Sequence, residues 1–143
     1  MRSDSRLSRM LHVLLHMARH AGPMTSDVIA TMLRTNPVVV RRTMAGLRDA
    51  GYVRSEKGHG GGWALACDLD RISLLDVHRA VGGPQLFAIG AESDQPHCLV
   101  EKLVNEAVAD ALAEAEALLL ARFGSISLGA LARDFDARYA CPS

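Results

Sequence analysis

The sequence predicts a mainly α-helical protein with a small β wing: a winged helix-turn-helix followed by a long dimerisation helix. Two observations predict this fold class. Between Thr35 and Ala66 a helical pattern, a strand, a glycine-rich turn and a second strand follow one another. A longer helical pattern then runs from about residue 98 to residue 123. The expected divisions are residues 1–82 for the winged domain, 83–97 for a loop, 98–135 for the dimerisation helix with a short terminal helix, and 136–143 for a tail.

Two helices are expected before Thr35. The first, from about Ser5 to Arg19, has a broad apolar stripe at helical spacing, made of Leu7, Met10, Leu11, Leu14, Leu15 and Ala18. Thr25 is a good N-cap for the second helix. The residues of that helix that can face inward are Val28, Ile29 and Leu33. The short gap from Leu33 to Asn36 is then the turn of a helix-turn-helix.

The third helix has the features of a DNA-recognition helix. Asn36 can cap its first N–H groups, and Pro37 suits its first helical position. One face is apolar and consists of Val40, Met44 and Leu47, while the opposite face holds Val38, Arg42, Ala45 and Asp49, with Arg41 on its flank. An arginine near the start of such a helix can bridge O6 and N7 of guanine in the major groove. A solvated surface is the commoner fate of exposed arginines, so the helix alone leaves both interpretations open.

The segment after this helix favours a wing. Residues 52–55 and 63–66 have the composition of short strands, and the glycines between them supply a tight turn. Lys57 and His59 lie at its tip, where they could reach phosphates or the minor groove. A phosphate-binding nucleotide loop is the competing interpretation, but no Gly-Lys-Ser/Thr follows and no helix starts after Gly62. We expect Trp63 to anchor the base of the wing by packing.

Charge is distributed unevenly along the chain. The 16 basic and 16 acidic residues cancel overall. Residues 1–66, however, carry ten Lys/Arg and four Asp/Glu, a balance of +6, whereas residues 67–143 carry six and twelve, a balance of −6. A basic half beside an acidic half indicates one nucleic-acid face and one regulatory or assembly face. Binding to double-stranded DNA should then depend on salt.

The helices expected in the acidic half, residues 67–143, predict that the protein forms a dimer. Ser73 can cap a short helix over residues 74–81, and Ser127 can cap a last helix over residues 128–134, with a loosely held tail from Phe135 onward. The long helix between them has an inner stripe of Leu99, Leu103, Ala107, Ala111, Ala115 and Leu118. This apolar surface is too broad for a small winged domain to cover, which predicts a homodimer; a core helix within a monomer is the alternative. A two-fold dimer can place two recognition helices about 34–36 Å apart on DNA.

Three segments carry a resemblance to a known family. They are SRLSRMLHVLLHMA, NPVVVRRTMAGLRDAGYVRSEKGHGGGWALA and ISLLDVHRAV. Together they resemble the Rrf-two (BadM-type) family of bacterial winged helix-turn-helix regulators, especially its branch without an obligatory metallocluster, up to about Phe135. The resemblance implies a homodimeric transcriptional regulator, usually a repressor. Its DNA-binding residues would map to Asn36, Val38, Val39, Arg41, Arg42, Lys57 and His59, and Thr25 completes the candidate set.

The cysteines set this chain apart from the family's iron–sulfur sensors, which hold a cluster with three cysteines around the start of the long helix. Here that region offers Cys98 alone, so we expect no cluster. Cys98 follows His97 at the start of a helix. The helix dipole and a nearby imidazolium both favour the reactive thiolate over the thiol. We therefore consider Cys98 a candidate redox sensor with Cys141 as its resolving partner. The alternative is a buried cysteine that acts as a small hydrophobic residue, which is also the role expected of Cys67.

Other functions are excluded or stay open. A nucleophile, a base and an oxyanion site are not identifiable together in the sequence, so we expect that the protein is not an enzyme. We also expect no cofactor or metal site. No secretory signal or membrane-spanning run is found, and three cysteines do not suit a disulfide framework, so a cytoplasmic protein is expected. A small-molecule effector could bind in the loop over residues 85–97, where Phe87 and Ile89 would line a pocket. A protein-interaction module is a further alternative.

Overall fold

The computed structural model describes residues 5–83, 85–87, 89 and 97–139. The elements are α1 (Arg6–Arg19), α2 (Ser26–Leu33), α3 (Pro37–Asp49), β1 (Val53–Glu56), β2 (Gly62–Leu65), a short 3₁₀ turn (Leu69–Arg71), α4 (Leu74–Ala80), α5 (Leu99–Gly124) and α6 (Leu128–Tyr139). The predicted fold class, mainly α with a small β wing, is confirmed.

Helices α2 and α3 begin at the caps that the sequence predicts. The backbone N–H of Val28 donates to Thr25 Oγ1 at 3.2 Å, and that of Val39 donates to Asn36 Oδ1 at 3.0 Å. Pro37 occupies the first turn of α3. Each cap satisfies one N–H that has no partner within its own helix, which fixes where the helix starts. The start of the recognition helix is therefore encoded locally.

The core lies between α1, α2, α3, α4 and the wing. The buried face of α3 is the predicted one, with Val40, Met44 and Leu47. The buried face of α1 differs from the expected stripe: it consists of Met10, Val13, Leu14 and Met17, and Ala18 is exposed. Val28 was expected to face inward, but it is half-exposed. The buried positions of α2 are its neighbours Ile29 and Ala30.

The wing is an antiparallel hairpin that pairs Val53 with Leu65 and Glu56 with Gly62. Both strands are displaced by one residue from the predicted bounds. Met24, just before α2, adds a bridge to the hairpin: its N–H donates to the Trp63 carbonyl at 2.9 Å and its carbonyl accepts from the Trp63 N–H at 2.7 Å. The wing is thus bonded to the segment that leads into α2.

The start of α4 and the start of α6 lie side by side. Ser73 and Asp76 form a capping box at the first turn of α4, and the Ala130 N–H donates to Ser127 Oγ at 3.0 Å, which confirms both predicted caps. The Leu74 N–H donates to the carbonyl of Ile126 at 3.0 Å. These bonds tie the C-terminal end of α5 to the winged domain.

Helix α6 is longer than the sequence predicts. A loose tail was expected from Phe135, but the helix continues to Tyr139. The ring of Phe135 lies 5.2 Å from that of Tyr139, and the Asp136 carboxylate pairs with Arg19 of α1. This pairing with α1 is a tertiary contact that the local pattern does not reveal. Cys141 lies outside the described residues.

Among the helices that the structure describes, none combines the length and the apolar content needed to cross a membrane.

Candidate nucleic-acid interface

The outward face of α3 carries two arginines that are not committed to other groups. Arg41 and Arg42 are exposed, and within the described part of the chain neither makes an ion pair or a side-chain hydrogen bond. By contrast, Arg48 near the end of the same helix lies 3.6 Å from the carboxylate of Asp49. Two available guanidinium groups one residue apart can reach a base edge and a neighbouring phosphate.

Apolar side chains accompany these arginines. Val38 is 56% exposed and Val39 is 37% exposed, although both belong to a helix whose other face is buried. Exposed valines in the first turn of α3 form a small surface that water solvates poorly. Such a surface suits contact with the methyl group of thymine.

Two further candidates, Asn36 and Thr25, use their side-chain oxygens to cap helices. Asn36 Oδ1 and Thr25 Oγ1 accept backbone N–H groups at the starts of α3 and α2. The side-chain amide of Asn36 and the hydroxyl hydrogen of Thr25 remain as donors, and both residues are exposed. Their geometry is compatible with a phosphate contact.

The tip of the wing presents the other two candidates. Lys57 and His59 are exposed on the turn between β1 and β2, which closes with a 3.0 Å hydrogen bond from the Gly61 N–H to the Gly58 carbonyl. A Cβ atom at Gly61 would lie 2.2 Å from the carbonyl oxygen of Glu56. The turn therefore needs glycine at this position.

Arg54 has a structural role in the wing. Its guanidinium donates to the Leu65 carbonyl at 2.8 Å and to the carboxylate of Glu56 at 3.1 Å. The bond to Leu65 joins the two strands across the hairpin, and the bond to Glu56 lies within β1. Among the described residues of the wing, Arg54 is therefore occupied, whereas Lys57 is available to contact a phosphate.

The base of the wing packs as expected. Trp63 is buried, and its indole Nε1 donates to Ser26 Oγ at 3.0 Å. Gly62 has φ +147°, and a Cβ there would lie 2.6 Å from the Met24 carbonyl oxygen. The close approach of the wing to residues 24–26 holds Thr25 and the hairpin in one unit.

One basic residue of α1 lies beside α3, and it is not among the DNA-binding residues that the sequence predicts. Arg9 lines a small cleft together with Thr35, Val39 and Thr43. It is exposed, and its neighbour Arg6 instead donates to the Val81 carbonyl at 3.3 Å. The separation of about thirty residues between Arg9 and Val39 hides this proximity from any local pattern.

Tyr52, which leads into β1, lies close to Asp76 of α4. Partial burial and the nearby carboxylate of Asp76 raise the pKa of Tyr52 above its usual value. Asp76 accepts the Ser73 N–H at 2.9 Å. The proximity of Tyr52 to Asp76 thus relates the residue that leads into β1 to the first turn of α4.

Cys98 is the N-cap residue of α5 and is half-buried, but its side chain makes no capping hydrogen bond. Cys67 is also half-buried; it packs against the core, as predicted, and its thiol lies 3.6 Å from the Asp68 carbonyl oxygen. Both thiols are free. The described residues contain no cluster of three or more His, Cys, Asp or Glu side chains that could hold a metal ion.

A family model described as "Rrf2: Iron-dependent Transcriptional regulator" matches residues 3–134. The chain belongs to the Rrf2 family. The resemblance to this family is thereby confirmed, as is the expectation of a regulator of transcription that is not an enzyme.

Similar proteins agree with the Rrf2 assignment. YwnA of Bacillus subtilis, assigned to the HTH-type transcriptional regulators, is 38% identical over 106 residues, which cover 73% of this chain and 77% of YwnA. A crystal structure of a protein assigned as DNA-binding is 31% identical, with a TM-score of 0.68, and covers 87% of this chain and 97% of that one. IscR of T. potens shares the fold, with a TM-score of 0.70 at 20% identity over all of this chain and 94% of that one.

The donor set of this Rrf2 chain does not fit an iron–sulfur cluster. Cluster irons need several converging thiolates. Between Gly82 and Gly124 the sequence supplies Cys98 alone, while Cys67 packs against the winged domain.

Proposed function

We propose that this Rrf2 regulator is a sequence-specific repressor that binds operator DNA as a homodimer in the cytoplasm. The observation that supports this most strongly is the outward face of α3, which combines two available arginines, Arg41 and Arg42, with exposed valines. An α-helix with such a face can enter the major groove while its buried side remains on the core.

The exposed residues divide into two roles. Arg41 and Arg42 read base edges, and Val38 and Val39 contact thymine methyl groups. Contacts that only position the protein go to phosphates. These come from Thr25, Asn36, Lys57, His59 and, in addition to the residues expected from the sequence, Arg9.

Dimerisation is proposed through α5, which is about 39 Å long at 1.5 Å per residue. One side of this helix is partly covered by its own chain, at Glu101, Asn105, Val108 and Leu112. A neighbouring side remains open to solvent, with Leu99 80% and Leu103 68% exposed. Since a contiguous apolar face of this kind marks an interaction surface, we assign it to the same helix of a second copy.

Oxidation of Cys98 is the proposed signal. Hydrogen peroxide oxidises the thiol to a sulfenic acid and is itself reduced to water, after which a second thiol can displace water to form a disulfide. Cys98 lies at the first turn of α5, where the chain enters the proposed dimer helix. A change in its size and polarity there would alter how the two copies pair. Cys141 is the proposed second thiol.

A ligand-responsive regulator is the second candidate function. The expected site in the loop over residues 85–97 lies largely outside the described residues, although Phe87 is half-buried and Ile89 is 59% exposed. A different part of the molecule, the groove between α1 and α6, favours a ligand site.

The proposed function is tested with fluorescence anisotropy of the full chain on the DNA immediately upstream of its own gene, with and without mild peroxide. Tight, salt-sensitive binding that is weakened by peroxide supports the whole proposal. Tight binding that peroxide leaves unchanged supports the DNA role and removes Cys98 as the sensor. Failure to bind at low salt contradicts the proposal.

A further inference from the structure

A groove of about 610 Å³ lies between α1 and α6. Ligand sites in proteins measure about 300–1,000 Å³, so this groove has the size of a small-molecule site. Its walls come from two regions far apart in the sequence. The residues that line it are His12, Leu15, His16, Ala18 and Arg19 of α1, and Ala132, Phe135 and Asp136 of α6.

The α1 wall is rich in hydrogen-bond donors. The imidazole rings of His12 and His16 lie one helical turn apart, with their centroids separated by 4.6 Å. Arg19 continues this row at the next turn. Each neutral imidazole offers one N–H donor and a guanidinium offers five. Arg19 also pairs with Asp136, which leaves some of its donors unused.

The α6 wall and the floor are largely apolar. The guanidinium carbon of Arg19 lies 4.8 Å from the ring centroid of Phe135, and this ring is 44% exposed. Leu15, Ala18 and Ala132 complete the apolar surface. An exposed aromatic ring beside a row of N–H donors matches a ligand that has a flat apolar body and an acceptor at one end.

We infer that this groove binds an aromatic carboxylate of one or two rings. Its carboxylate would accept hydrogen bonds from His12, His16 and Arg19, and its rings would pack against Phe135 and Leu15. A carboxylate is favoured over a cation because Asp136, the acidic side chain in the lining, is already paired with Arg19. A neutral ring system would leave the donors of α1 unmatched.

The position of the groove connects a bound ligand to the winged domain. Helix α1 packs against β2 and α4, and α6 starts at the hydrogen bonds that join it to the segment before α4. A ligand that contacts both helices would stabilise one arrangement of α6 relative to α1. The binding itself is independent of the proposed function, whereas an effect on DNA affinity rests on that function.

The test uses 2-naphthoate as the probe and 2-naphthalenemethanol as its uncharged analogue, with isothermal titration calorimetry on the full chain. We expect the carboxylate to bind with a Kd below about 1 mM and the alcohol to bind at least about tenfold more weakly. Equal affinities for the two compounds, or no heat from naphthoate, would overturn the inference.

Variants locate the site. His12→Gln combined with His16→Gln should weaken naphthoate binding at least about tenfold, and Ala132→Trp should block the groove without changing its charge. His20→Gln is the matched control, because His20 is an exposed histidine just after α1 that bonds to the Gly22 carbonyl outside this groove. Naphthoate affinity that survives both groove changes would overturn the assignment.

DNA binding is measured on the same samples. If naphthoate does not bind while the chain still binds DNA, only the groove is refuted. If naphthoate binds as expected but the chain binds no DNA, the proposed function fails and the ligand site stands.

Discussion

The indole nitrogen of Trp63 donates a hydrogen bond to the hydroxyl oxygen of Ser26 at 3.0 Å. Trp63 belongs to the second strand of the wing and Ser26 is the first residue of α2. Together with the two backbone bonds between Met24 and Trp63, this contact fixes the hairpin against the helix-turn-helix. The hairpin and the start of α2 are thus held in a fixed position relative to each other.

The Trp63–Ser26 bond should be measurable as a coupling energy. We expect Trp63→Phe and Ser26→Ala each to lower the free energy of unfolding by about 1 kcal/mol, because each removes the same partly buried hydrogen bond. The double variant should lose less than the sum of the two. Urea unfolding measures all three, and strictly additive losses would show that the bond contributes nothing to stability.

Stability at high pH should depend on Tyr52. Burial and the carboxylate of Asp76 raise the pKa of this phenol in the folded state. The unfolded chain therefore loses the Tyr52 proton first, at about pH 10. The stabilisation by the neutral phenol is fully present below that pH and is lost as the pH rises through the folded-state pKa.

Urea unfolding between about pH 9 and pH 11 tests this linkage. Tyr52→Phe should flatten the loss of stability over that range, while the control Tyr139→Phe, at an exposed residue near the end of α6, should retain it. Parallel pH profiles for the wild type and Tyr52→Phe would refute the raised pKa of Tyr52 in the folded state.

Several of these features follow from the sequence because they are local. Asn36, Thr25 and Ser73 cap helices within three residues of themselves, so the starts of α2, α3 and α4 are predictable. The buried face of α3 is equally clear, since Val40, Met44 and Leu47 recur at helical spacing.

Features that depend on distant partners were not predictable. Apolar side chains occupy most sides of α1, so only the packed structure decides that Val13 and Met17 face the core. Nothing local shows that Asp136 meets Arg19 and thereby extends α6 through Phe135. Arg9 beside Val39 is a third contact of this kind.

The dimer proposal makes a prediction at Leu103. Leu103→Glu places a charge in the exposed apolar face of α5 and should convert a dimer at micromolar concentration into a monomer, because an unpaired charge is costly to bury in an interface. Ala113→Glu, at another exposed position of the same helix, should leave the dimer intact. Sedimentation equilibrium measures the mass. A wild-type monomer, or a Leu103→Glu dimer, would disprove the assigned interface.

The redox proposal makes a prediction at Cys98. Peroxide should weaken DNA binding of the wild type, and Cys98→Ser should bind DNA normally and lose the response, because serine cannot form a sulfenic acid. Cys67→Ser is the control, since Cys67 packs against the core and should have no part in sensing. Anisotropy before and after peroxide gives the comparison. Release of DNA from oxidised Cys98→Ser would end the case for this sensor.

The most direct test of operator recognition concerns the outward face of α3. We would measure the affinity of Arg41→Gln, Arg42→Gln and the control Arg48→Gln for the upstream DNA and for a scrambled duplex. Loss of about 1–3 kcal/mol of discrimination at Arg41 or Arg42, with little change at Arg48, is the expected result. Unchanged specific binding in both Arg41→Gln and Arg42→Gln would contradict the claim that α3 reads the operator.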